Sequence, residues 1–147
     1  ARKSVGRLTL SSPELEQLIE DLDGVTVPSR TLASWASRGV VVPSFWEHRR
    51  RVPRRYSWRD VLRARLVARL RYEVGMSMPE VRRVLAYLDG LDRDVWRWRS
   101  NDTLVIAGRA VYVRSPDGPD VAVPDGQQVL EFDLGEVRDT TKRAVRA

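Results

Sequence analysis

A chain of 147 residues with 42% hydrophobic content suits one domain, or one small domain with an appendage, and argues against wholesale disorder. It has no cysteine and a single histidine, His48, so a disulfide framework, a thiolate site, a redox switch and a histidine zinc site are not expected, and its apolar runs are too short for a membrane span. The net charge of +6 is unevenly held: residues 30–71 carry 12 arginines against Glu47 and Asp60 as the acids.

The first helix is predicted from "SSPEL", with Ser12 as N-cap and Pro13 at the first helical position, where a missing N–H costs nothing. Leu15, Leu18, Ile19 and Leu22 make its apolar stripe, and Asp23–Gly24 closes it. A second helix follows in "VPSRTLASWASRG", with Leu32, Trp35 and Ala36 on one face and Gly39 as its stop. In "VVVPSFWEHRRRVPRRY", Pro43 and Pro53 flanked by β-branched residues predict an extended arm or hairpin.

Ser57, with Asp60 three residues on, forms a capping-box signature for a third helix. Its stripe is Val61, Ala64, Val67, Leu70 and Val74, while Leu62 and Leu66 lie off the stripe and predict packing on two sides. Ser77 and Glu80 open a fourth helix with Val81, Val84, Leu85 and Leu88 inward. Beyond Asp89 the texture changes. "TLVIAGRAVYVRSPDGPDVAVPDGQQVLEFDLGEV" alternates valine-rich runs with turn signals, which predicts two to four short strands and a final helix near 136–145.

The fold class expected is α+β, in two parts. Residues 1–88 would hold about four helices and a basic arm, and residues 89–147 a small β-containing unit. Lysine and arginine exceed aspartate and glutamate by 17 to 9 in the first part and trail by 9 to 11 in the second. The cationic block is built from arginine, whose fork suits phosphates and guanine edges. Nucleic acid therefore leads as partner over an acidic membrane surface, since no clean amphipathic helix presents the arginines. The start at Ala1 in place of Met reads as a processed or trimmed end, and no signal-peptide pattern opens the sequence.

The ordered pieces "SRTLASWASRGVVVPS", the basic stretch, "RRYSWRDVLRARLVARLR" and "GMSMPEVRRVL" resemble the DNA-binding domain of the MerR family across roughly residues 8–88. The resemblance implies a winged helix-turn-helix whose second helix enters the major groove and whose basic wing touches flanking backbone. Base contacts then fall to Arg30, Ser29, Ser34 and Arg38, the polar positions left once Leu32, Trp35 and Ala36 are buried. Backbone contacts fall to Arg49, Arg50, Arg51, Arg54, Arg55 and Tyr56 of the wing, stiffened by Pro53. Two departures stand out. "DLDGVTVPS" is longer than the family's usual turn, and Ala33–Ser34 stand where the family commonly has an arginine, so readout is expected to lean on DNA shape.

Trp35, Tyr56 and Trp58 are read as core of the winged unit. Phe45–Trp46 is read either as a wing-tip wedge or as packing under the wing, and His48 as one more polar arm residue. "DGLDRD" at 89–94 breaks any long dimerisation helix, which argues against a metal- or redox-responsive activator. The second part instead resembles a subgroup of bacterial toxin–antitoxin proteins, through "LVIAGRAVYV" and "DGQQVLEFD". That resemblance implies a ribonuclease-type toxin as partner. Trp96, Trp98, Val111 and Val113 are the interface candidates.

Asp117, Asp120 and Asp125 sit in "PDGPD" and "PDG", where aspartate serves turn formation, and there is no Walker loop or Rossmann glycine pattern, so no enzyme, cofactor or metal is expected. The functional expectation is a homodimeric, cytoplasmic, nucleoid-associated repressor of double-stranded DNA, extending to the autoregulating antitoxin of such a pair. The alternative is a non-catalytic module whose arginine-rich face binds RNA or an acidic protein.

Overall fold

The computed structural model describes residues 9–46, 53–91, 102–108, 110–115 and 129–146. Among these it contains five α-helices and five short strands, a mixed α and β architecture with the larger sheet near the C-terminal end. Two compact units emerge, residues 1–82 with 140–147, and residues 83–139.

In the first unit, β1 (Thr9–Leu10) leads into α1 (Ser12–Asp23). The N-cap is Ser11, not Ser12: the Ser11 amide donates to Glu14 Oε1 at 2.9 Å and the Glu14 amide to Ser11 Oγ at 3.3 Å. A capping box needs a spacing of three, and Glu14 selects Ser11 by that rule. Leu15, Leu18 and Ile19 are buried as the periodicity requires, but Leu22, in the last turn, is 37% exposed and drops out of the stripe. Gly24 ends the helix in the left-handed region at φ 66°.

Helix α2 (Ser29–Ser37) starts after Pro28, whose carbonyl accepts from the Thr31 and Leu32 amides. Leu32, Trp35 and Ala36 are buried on one face. The chain turns at Gly39 and enters the first leg of a hairpin, where Phe45 and Arg55 exchange both backbone hydrogen bonds. The second leg continues as β2 (Tyr56–Ser57), which pairs antiparallel with β1.

Helix α3 (Trp58–Ala68) is the hub of this unit. Ser57 and Asp60 form the expected capping box, and Val61, Leu62, Ala64, Leu66, Val67 and Ala68 are all buried, so the helix is covered on more than one side. Each of the larger aliphatic side chains contributes about 1.5–3 kcal/mol relative to exposure. A π-helical stretch, Arg69–Val74, prolongs α3 and stops at Gly75, φ 88°. Helix α4 (Met78–Asp89) follows, opened by the Ser77–Glu80 pair, with Val81, Val84, Leu85 and Leu88 buried.

The second unit holds a three-stranded antiparallel sheet in the order β4-β3-β5: β3 (Thr103–Ala107), β4 (Ala110–Arg114) and β5 (Val129–Asp133). Leu104, Val105, Ile106 and Ala107 are all buried, so the central strand is covered on both faces. Helix α5 (Leu134–Arg146) follows β5 directly. From residue 140 onward, α5 belongs to the first unit. There, Thr140 and Thr141 accept from Arg65 and Lys142 lies 5.6 Å from the Trp58 ring.

Candidate nucleic-acid interface

The outer face of α2 carries the residues singled out for base contact. Ser29, Arg30 and Arg38 are exposed and Ser34 is half-buried. Arg30 lies one residue into the helix with no hydrogen bond or ion pair among the described residues, so its guanidinium points to solvent uncommitted. Ser29 is less free, since its hydroxyl donates to Glu16 Oε2 at 2.9 Å and so ties the start of α2 to α1.

The other end of α2 is fixed by two arginines that sequence reasoning did not single out. Arg82 of α4 donates to the Arg38 carbonyl at 2.9 Å, and Arg63 of α3 donates to the Val40 carbonyl at 2.7 Å. Cations at a helix C-terminus also meet the negative end of its dipole. The helix is thus held at its N-terminal end by Glu16 and at its C-terminal end by Arg63 and Arg82, which is the preorganisation a base-reading element needs. Their signal was not legible in the sequence, because the partners are backbone carbonyls 23 and 44 residues away.

The root of the hairpin lies between α2 and α3 in the chain. Arg54 stacks over Trp46 with its guanidinium carbon 5.1 Å from the ring centroid, and its buried Nε has no hydrogen-bond partner among the described residues. Arg55 is engaged by other parts of the protein, although its side chain is 41% exposed. Its Nε donates to Thr9 Oγ1 and its Nη2 to the Thr9 carbonyl, each at 3.0 Å, and its Nη1 lies 3.7 Å from Glu14 Oε1. That arginine holds β1 against the hairpin leg. Arg49, Arg50 and Arg51, with His48, lie outside the described residues.

Two assignments need correction. Tyr56, expected from the sequence both as a core residue and as a DNA-backbone contact, is 0% exposed, which bears out the core reading and removes the contact. Its hydroxyl lies toward Ser12 without closing a hydrogen bond of acceptable geometry, so it is a core residue that cannot reach a phosphate. Burial pushes its pKa up. Trp58, expected in the core with Trp35 and Tyr56, is only half-buried and has Lys142 over its ring. Of the Phe45–Trp46 pair, Phe45 is 57% exposed, whereas Trp46 is half-buried with Arg54 over its ring.

In the second unit, Val111 and Val113 are half-buried on β4, an outer strand of the sheet, and the Val113 amide donates to the Tyr87 hydroxyl at 3.2 Å. Trp96 and Trp98 lie outside the described residues. Among the described residues no group of three or more His, Asp or Glu side chains could hold a metal ion, and no helix is long and apolar enough to cross a membrane.

Residues 24–88 match the family model described as MerR HTH family regulatory protein, and no curated protein matches the chain. The matched segment runs from the end of α1 through α2, the hairpin, α3 and most of α4. Residues 24–88 are a MerR-family helix-turn-helix segment, of the kind that serves DNA-binding transcription regulation.

Proposed function

We propose that this protein is a transcriptional repressor that binds a near-palindromic DNA duplex as a homodimer. A single second helix reads too few base pairs for useful specificity, and a two-fold pair doubles the site. Arg30 contacts a guanine edge, assisted by Ser29, Ser34 and Arg38, while Arg49, Arg50, Arg51 and Arg54 grip phosphates. The observation that carries this reading is Arg30: an exposed, uncommitted guanidinium in the first turn of a helix held at both ends by other helices. Arg55, engaged by Thr9 and Glu14, serves the hairpin's attachment instead of the phosphates.

Under this proposal residues 1–88 form the DNA-binding domain and residues 89–147 the dimerisation and partner unit, with Trp96, Trp98, Val111 and Val113 at the interface. The protein acts in the cytoplasm, associated with the nucleoid, and without catalysis. The resemblance of "LVIAGRAVYV" and "DGQQVLEFD" to the toxin–antitoxin subgroup extends the proposal to an autoregulating antitoxin with a ribonuclease-type toxin. A ribonuclease-like open reading frame beside the gene, whose product co-purifies with this chain, is the expected result. A lone gene removes the antitoxin extension and leaves the repressor reading standing.

The test of DNA binding is a titration of matched duplex DNA, single strands and RNA at several salt concentrations. Preferred binding to duplex, falling steeply with salt, is expected. Equal affinity for all three polymers would point instead to a module for RNA or an acidic protein.

A further inference from the structure

The carboxylate of Asp60 does more than cap a helix. Its Oδ2 accepts from the Ser57 amide at 2.8 Å, which closes the cap of α3, and the same oxygen accepts from the Ser44 amide at 2.7 Å. Ser44 and Ser57 stand on the two legs of the hairpin, just inboard of the Phe45–Arg55 pair, and their hydroxyls meet at 3.1 Å. One anion therefore joins the leg that leaves α2 to the leg that enters α3. Outward from it come the Phe45–Arg55 backbone pair and then the Arg54–Trp46 stack.

Capping requires only the Ser57 half of this arrangement. The Ser44 bond, across 16 residues of sequence, adds nothing to the helix and fixes the hairpin. Hydrogen bonds to an ionised acceptor are the strong ones, and two of them converge here.

Charge alone argues the other way. Asp60 and Glu47 are the acids among 12 arginines in residues 30–71, and an acid in such a block repels phosphates. On that count, removing Asp60 tightens DNA binding. The geometry points to the opposite sign, and we infer that Asp60 is a positioning residue for DNA binding: by tying both legs of the basic hairpin to the first turn of α3, it fixes the root of the arginine-rich arm. This rests on the wing–phosphate contacts proposed above.

The test is a titration of the full chain against a mixed-sequence DNA duplex over a salt series, at a temperature where circular dichroism shows each variant folded. Asp60→Asn is expected to bind about tenfold more weakly despite its added positive charge, the loss that goes with a charge-assisted bond. It is also expected to flatten the salt dependence and to add little further loss in an R50A/R54A background. Ser57→Ala removes the hydroxyl that caps the Asp60 amide at 3.2 Å and meets the Ser44 hydroxyl at 3.1 Å, but leaves both charge-assisted amide bonds to Oδ2. It is expected to lower Tm without moving DNA affinity.

Equal or tighter binding by Asp60→Asn overturns the inference, as does a loss that Ser57→Ala shares in proportion to its drop in Tm. If R50A/R54A itself binds like the wild type, the wing reading fails and takes this inference with it. If R50A/R54A weakens binding while Asp60→Asn does not, the positioning role alone is lost.

Discussion

Arg65 and Asp23 form a two-pronged ion pair, Nε to Oδ2 at 2.8 Å and Nη2 to Oδ1 at 2.7 Å, with side chains 4% and 3% exposed. The remaining guanidinium nitrogen donates to Thr140 Oγ1 at 2.8 Å and Thr141 Oγ1 at 2.9 Å. One arginine in α3 thus holds the last turn of α1 and the C-terminal part of α5. Removing either charge breaks a buried ion pair and strands its partner away from water, so Arg65→Met or Asp23→Leu is expected to cost about 3–5 kcal/mol. The double variant R65M/D23L is expected to recover most of that loss, because an apolar pair of similar volume has no charge to desolvate. Urea denaturation of the four proteins measures the coupling, and additive losses would show that the pair is not an energetic unit.

Under the proposed function the arginines divide by what they would touch. Arg30→Ala is expected to relax preference at one base position by about 1–3 kcal/mol and to leave binding to mixed-sequence DNA nearly unchanged. R50A/R54A is expected to weaken every duplex alike and to flatten the salt slope by about one log–log unit for each phosphate the variant no longer grips. Binding selections on randomised duplexes, run for each variant, separate the two. Specific binding unaltered by Arg30→Ala would mean that another element reads the bases.

Local signals carry the sequence reading, and long-range ones escape it. The capping boxes at Ser57–Asp60 and Ser77–Glu80, the buried faces of α2 and α4, and the strand-rich texture after Asp89 all follow from spacings of two to four residues. The tie between Arg65 and Thr140 spans 75 residues, and nothing in either neighbourhood announces it. Among twelve arginines in residues 30–71, sequence does not distinguish Arg30, which faces solvent, from Arg55 and Arg65, which hold the fold together. The motif at Asp60 is legible as a cap, but its second bond, to Ser44, requires the hairpin to fold back. Tyr56 reads both as a core aromatic and, among basic neighbours, as a phosphate contact, and pairing with β1 and burial decide for the core.

Tyr56→Phe follows from that correction. A buried hydroxyl without a good hydrogen bond contributes nothing that phenylalanine lacks, so the change is expected to shift stability by less than about 1 kcal/mol, toward the stable side if at all. DNA affinity should be unaffected. The raised pKa of Tyr56 adds a pH signature, since its folded state holds the proton more tightly than the unfolded chain does. Stability from this group is fully present below the unfolded tyrosine value, about 10, and is lost as pH rises through the higher folded value. Melting temperatures on the alkaline side should fall more steeply for the wild type than for Tyr56→Phe, and parallel curves would contradict the burial of the ring hydroxyl.

Glu14 titrates with the opposite sign. The Ser11 amide, then the Ser11 hydroxyl, and to a lesser degree Arg55, hold its carboxyl below the usual glutamate value against the small opposing effect of burial. A depressed folded pKa means that the unfolded state binds the proton first, so stability from Glu14 is present above the unfolded value, about 4.3, and is lost as pH falls through the lower folded one. Because the side chain is 56% exposed, solvent screens the Arg55 contact at 3.7 Å and leaves the capping bonds as the main source. Glu14→Gln keeps a capping partner but no charge. It is expected to melt slightly below the wild type at neutral pH and to converge with it in acid. A gap that stays constant as the pH is lowered past the glutamate range would show that the carboxylate's charge has no part in holding the start of α1.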